Sequence, residues 1–146
     1  MKKLLLTAAT ALFSLAVFAA EPTTVTEKVL QAFQTSFKDA KQVTWEEYKN
    51  VYEVRFMHND IKSRITYDTD GNIMKTVRYY SEDQLPLLVK VRIKEKFAGK
   101  KVFGVTEVAS ADTIVYHVVL EDAKTWTSIE CDAYGQSTVV KRMKKA

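Results

Sequence analysis

The sequence predicts an α+β fold in which one helix and four antiparallel strands occur twice and join into one continuous antiparallel sheet. Three observations predict it. The stretch Tyr52 to Arg78 (YEVRFMHNDIKSRITYDTDGNIMKTVR) returns without a gap as Tyr116 to Arg142, so that Tyr52 maps to Tyr116, Ile65 to Ile129, Asp68 to Asp132 and Gly71 to Gly135. Ahead of each copy lies an apolar stripe at four-residue spacing, Val29-Phe33-Phe37 and Val89-Ile93-Phe97, which is the pattern of an amphipathic helix. Inside each copy apolar and polar residues alternate, as in strands with one buried face. A unit of about 60 residues buries only about 60% of its surface and would be marginal alone. Two helices with one apolar stripe each, and two sheets with one apolar face each, are best served by placing both helices on the same side of a shared sheet.

The N-terminus is set aside first. Lys2 and Lys3 precede an apolar run from Leu4 to Ala20, which small residues close before Glu21 and Pro22. This is the layout of a secretory signal peptide, with Val17 and Ala19 fitting the small-residue rule and cleavage expected after Ala19 or Ala20. Residues 20–146 then form a single domain of two repeats, about 24–80 and 81–146, exported to the periplasm or beyond, with no stable membrane insertion after cleavage. The formal charge of +4 includes Lys2 and Lys3; without them 20 basic residues face 18 acidic ones. Mixed signs and the absence of a long basic block, apart from the tail Lys141 to Lys145, argue against a nucleic-acid partner. Cys131 is the one cysteine, so disulfides do not hold the fold, and alternation with Ile129 turns it inward.

Along the chain, Thr24-Val25-Thr26-Glu27 reads as a capping box opening a helix of about four turns. Gln42 to Tyr48 is a strand with Val43 and Trp45 on one face. Tyr52, Val54 and Phe56 point inward, and Glu53, Arg55 and Met57 outward. After the turn His58-Asn59-Asp60, Ile61 to Asp68 carries Ile61, Ile65 and Tyr67 inward and Lys62, Arg64 and Thr66 outward. Asp70-Gly71 suggests a two-residue type I′ hairpin into the strand Ile73 to Tyr80. Ser81-Glu82-Asp83-Gln84 reads as a second capping box, with Leu85-Pro86 in the first helical turn and Gly99 as the stop. Val102 to Val108 is a strand, four extra residues separate Phe97 from Tyr116, and the hairpins repeat with Tyr116, Val118 and Leu120 inward.

Phe37-Lys38-Asp39-Ala40-Lys41-Gln42-Val43-Thr44-Trp45, Tyr67-Asp68 ahead of Gly71, and Leu85-Pro86 resemble the beta-lactamase-inhibitor-like, PepSY-like family of bacterial exported proteins. The resemblance spans nearly the whole exported chain. It implies a tandem repeat forming one curved sheet with helices on its convex side, similar in shape to the beta-lactamase inhibitory protein. The second unit departs from the pattern: Phe97-Ala98-Gly99-Lys100-Lys101-Val102-Phe103 is not followed by a tryptophan.

No catalytic constellation is framed by the sequence, and no metal or cofactor is expected. Asp68-Thr69-Asp70-Gly71-Asn72 lacks the glycine and glutamate positions of a calcium loop, and its echo Asp132-Ala133-Tyr134-Gly135-Gln136 loses the middle carboxylate, so both read as turns. The two histidines, His58 and His117, do not make a zinc set. No glycine-framed serine or phosphate-cradling loop is present. The sheet face away from the helices is the more informative region. Parity assigns to it Arg55, Met57, Arg64, His117, Val119, Trp126, Ser128 and Glu130. Trp126, His117, Arg55, Arg64 and Met57 are the candidate partner-binding residues, since exposed tryptophan and arginine are enriched at binding hot spots. The expectation is a non-catalytic exported module that binds a protein, with inhibition as its sharpest form. A periplasmic carrier holding a small ligand between helices and sheet is the alternative.

Overall fold

The computed structural model describes residues 24–146, so the expected signal peptide lies outside the described residues. The element order is helix α1 (Glu27–Ser36), strands β1 (Lys41–Tyr48), β2 (Val51–His58), β3 (Ile61–Asp68) and β4 (Ile73–Tyr80), a 3₁₀ turn (Glu82–Gln84), helix α2 (Leu87–Lys96), and strands β5 (Lys101–Ser110), β6 (Thr113–Glu121), β7 (Thr125–Asp132) and β8 (Ser137–Lys144). The eight strands form one antiparallel sheet in sequence order. No helix of the described residues is long and apolar enough to cross a membrane.

Each helix shares a core with its own strands. Val29 and Phe33 of α1 pack with Tyr52, Val54, Phe56, Ile65 and Tyr67, and Trp45 and Phe37 close the edge of this cluster. Leu85, Val89, Ile93 and Phe97 pack with Val105, Tyr116, Val118, Leu120, Ile129 and Cys131. Cys131 is 1% exposed, and burial, with the Asp132 charge second, pushes its thiol above the ordinary range. The register carries one face through the join: Ser63 pairs with Arg78, Arg78 with Glu107, Glu107 with Tyr116 and Tyr116 with Cys131. Side chains directly opposite across a ladder share a face, so these five lie in line.

Several local expectations need correction. Neither capping box forms. Thr26 is the N-cap of α1 without a side-chain cap bond, and the helix has 10 residues, about three turns. Ser81 likewise caps only the 3₁₀ turn, and α2 begins after Pro86. Leu85 is extended at ψ 140, because the ring of Pro86 disfavours helical geometry in the residue before it. The hairpin at Asp70-Gly71 is longer than two residues: Gly71 N–H donates to Asp68 O at 3.2 Å, Asp68 N–H donates to Asn72 O at 3.0 Å, and Gly71 alone in this loop has positive φ. That is a type I turn closed by a glycine bulge. The Asp68 carboxylate accepts the N–H groups of Asp70 and Asn72 at 2.9 Å each, and Asp132 accepts those of Tyr134 and Gln136 in the same way.

The four extra residues of the second half lie in the β5–β6 hairpin, whose arms reach Ser110 and Thr113 whereas β1 and β2 stop at Tyr48 and Val51. This extension gives β5 the length to pair with β4 from Lys75↔Ser110 to Tyr80↔Val105.

Candidate interaction face

On the side of the sheet opposite the line Ser63, Arg78, Glu107, Tyr116 and Cys131, registered pairs form rows that cross the strands. One row runs unbroken from Lys41 through Met57, Lys62, Tyr79, Thr106, His117 and Glu130 to Thr138. The next contains Thr44, Arg55, Arg64, Val77, Val108 and Val115. At the other end of the strands Lys101, Glu121, Trp126 and Met143 are partners.

All five predicted residues fall on these rows, in three separate places. Arg55 and Arg64 are direct cross-strand partners. Two like charges so placed repel, and carboxylates intervene: Arg55 meets Glu46 and Glu53 at 2.9 Å each, and Arg64 meets Glu53 at 3.6 Å. The hydrogen bond to Glu53, followed by the Glu46 charge, raises the Arg55 pKa; donation to Glu46 raises that of the Tyr48 hydroxyl. With Lys62, Ser63 and Tyr79 the arginines line a depression of about 450 Å³. Met57 and His117 share a row four strands apart, about 19 Å at the usual strand spacing. His117 Nδ1 lies 3.5 Å from Glu130, an ion pair when the imidazole is protonated.

Trp126 stands opposite Glu121, four residues along β6 from His117 and so about 13 Å beyond it. It faces outward as its parity requires, yet it is half-buried rather than free. The Phe103 ring meets it edge-on at 4.7 Å, and Lys145 Nζ lies 4.2 Å from its centroid while pairing with Glu121 at 2.7 Å. A β-bulge between Val102 and Gly104 adds Phe103 to β5, where its side chain is 64% exposed. Phe103, Lys145, Tyr79 and Val77 belong to this face and were not singled out from the sequence. Val77 is 3% exposed but joins neither helix-side cluster; its row neighbours are Arg64 and Val108. The parity of β4 could have found Val77 and Tyr79. The bulge that places Phe103 leaves no mark in composition.

The predicted residues therefore do not converge on one small site. Seven strand spacings and eight-residue strands give a face of roughly 34 by 27 Å, on the order of 900 Å².

No family model and no curated protein matches the sequence. Solved structures do. A BLIP-like protein from Bacteroides fragilis superposes with a TM-score of 0.59 at 15% identity, covering 82% of this chain and 85% of its own. The fold is BLIP-like. A presumed periplasmic protein from Bacteroides eggerthii gives 0.60 at 17% identity, over 82% and 88% of the two chains. A DUF2874 family protein from Bacteroides ovatus gives 0.59 at 17%, over 81% and 86%. The BLIP-like fold accounts for the uninterrupted eight-stranded sheet, and at these identities it speaks for the fold alone.

Proposed function

We propose that this chain is an exported, non-catalytic binding module that holds a protein against the face of its sheet away from the helices. The face dimension carries the reading. About 900 Å² matches the roughly 800 Å² that one partner contributes to a standard protein–protein interface, whereas Met57 and His117, about 19 Å apart, with Trp126 about 13 Å further along the strands, cannot line one small-molecule site. Residues 24–80 and 81–146 are read as two repeats of one domain, with both helices covering the same face; the line from Ser63 to Cys131 and the parallel helix stripes support this. Export rests on the N-terminal sequence, cleaved after Ala19 or Ala20, and on the description of the Bacteroides eggerthii neighbour. Inhibition of a secreted enzyme is the sharpest form of the proposal, favoured by the fold shared with a protein described as BLIP-like.

The test is recovery of a partner from exported proteins on immobilised residues 20–146. Trp126→Ala with Arg64→Ala should reduce recovery at least tenfold, and Leu87→Ala, at a 75% exposed site on α2, should not. Equal recovery by all three proteins would refute the reading. One observation favours the carrier alternative: a groove of about 300 Å³ lies where Phe37 meets Phe56, Ile61, Ile65 and Arg78. It is at the lower end of ligand-site volumes and reaches the His58-Asn59 turn. Saturable binding of an apolar fluorophore, lost in Ile65→Lys but kept in Trp126→Ala, would favour that reading.

A further inference from the structure

We infer that the partner presents an acidic surface to this face; the inference rests on the binding reading above and adds the partner's chemistry. The observation is an imbalance between acids and bases on one side of the sheet. Three of its four glutamates are paired with permanent cations, Glu46 and Glu53 with Arg55 and Glu121 with Lys145, and the fourth, Glu130, lies 3.5 Å from His117. The aspartates at its strand ends, Asp68 and Asp132, are turned into their hairpins by backbone N–H groups. Lys41, Lys62, Lys75, Lys101 and Lys141 are exposed on the same face, and none has a carboxylate partner among the described residues.

Of the four basic residues of α2, two are in ion pairs and a third is bonded to a backbone carbonyl, while Lys90 has no carboxylate partner among the described residues. Arg92 pairs with Glu95 at 3.4 Å, Lys94 with Glu82 at 2.6 Å, and Lys96 donates to the Ser137 carbonyl. From residue 20 onward the chain carries an excess of only two positive charges. With the paired groups included, eight bases and six carboxylates lie on this face, so the chain's excess of two positive charges sits there and makes a directional field, not a generally basic protein. Such a field raises the encounter rate with an oppositely charged surface by roughly 10 to 1,000-fold and is screened by salt. Between the lysines, the half-buried Val108, Val115 and Trp126 supply apolar ground. An acidic protein surface with an apolar centre complements that arrangement.

The probe is fluorescein-labelled poly-L-glutamate, its anisotropy titrated with residues 20–146. Binding should weaken at least tenfold in Lys62→Glu/Lys75→Glu/Lys101→Glu and at least tenfold between 50 and 300 mM NaCl. It should change less than twofold in Lys90→Glu/Lys94→Glu, with circular dichroism confirming that both variants fold. Equal loss in the α2 variant would overturn the inference. So would tighter binding to vesicles containing phosphatidylglycerol or to an oligothymidine, because the face would then serve a lipid or a nucleic acid. The partner recovered above separates the two levels. If Trp126→Ala with Arg64→Ala abolishes recovery but the triple reversal and 300 mM NaCl leave it intact, the binding reading stands and the acidic partner falls.

Discussion

Two hydroxyls show what single residues contribute and what they cost. Tyr67 is 1% exposed and Thr127 fully buried, and neither hydroxyl has a hydrogen-bond partner among the described residues. A buried polar group left unpaired costs about 1 to 3 kcal/mol. Thr127→Val should therefore stabilise the protein by about 1 kcal/mol, read as a higher urea midpoint at unchanged slope. A lower midpoint would show that the hydroxyl is paired in solution. Tyr67 adds a pH dependence. Burial pushes its pKa from 10.0 up to about 12, so between those values the unfolded chain releases a proton that the native chain keeps. The native state then binds more protons, and stability falls as pH rises from 10 towards 12, by at most about 1.4 kcal/mol per pH unit from this group. Tyr67→Phe should reduce that slope, with Tyr80 and Tyr116, also raised by burial, supplying the remainder, and an unaltered slope would remove Tyr67 as a source. At this scale the sequence is legible in part. Alternation turns Tyr67, Cys131 and Ile129 inward, but it does not tell which buried hydroxyls find partners, as those of Tyr67 and Thr127 do not.

At the scale of elements, strands were more legible than helix ends. Alternating side chains mark both edges of β3 and β4 because a one-residue error would send every apolar group to the wrong face. A helix terminus has no comparable penalty, and Ser, Thr and Glu near it are compatible with several starts. The same insensitivity hid the bulges at Val43 and Phe103, since a bulge inserts one residue without altering the character of its neighbours. The hairpin before β8 is held from outside. Gly135 has φ +83, and a Cβ there would stand 2.7 Å from Arg92 Cβ and 2.6 Å from its Cγ on α2. Gly99 has the same φ with open space around it. Gly99→Ala should cost about 1 to 2 kcal/mol from left-handed backbone strain alone. Gly135→Ala should cost at least about 1 kcal/mol more, because the base of the Arg92 side chain cannot swing aside without moving the helix. Equal losses in chemical denaturation would mean that the β7–β8 hairpin is not seated on α2.

For the whole molecule, the repeated pattern made the sheet legible but left its faces unranked. Arg55 and Trp126 could each be assigned a side by parity, whereas their separation and the carboxylates already bound to Arg55 depend on register across several strands. The join between the halves was equally hidden, and it governs how the molecule unfolds. Two distinct clusters, one under each helix, could in principle melt apart. The seam opposes this. β4 and β5 pair from Lys75 to Tyr80, and Glu107, whose side chain is 12% exposed, binds Arg78 at 3.2 Å and the Tyr80 hydroxyl at 2.5 Å across the join. Separating the halves would break a six-residue ladder and the contacts of Glu107 with Arg78 and Tyr80 across it, while units of about 60 residues have little stability in reserve. One transition is therefore expected. Trp45 packs edge-on to Phe33 in the first cluster, and Trp126 stands on β7 in the second half, so each half carries its own fluorophore. Urea unfolding of Trp45→Phe and Trp126→Phe, each followed by its remaining tryptophan and by circular dichroism, should give coincident fluorescence and dichroism curves within each variant. Glu107→Ala should shift both reporters together to lower urea. A first half that melts separately, with Trp45 changing ahead of the dichroism while Trp126 lags, would show that each helix and its four strands form an independent folding unit.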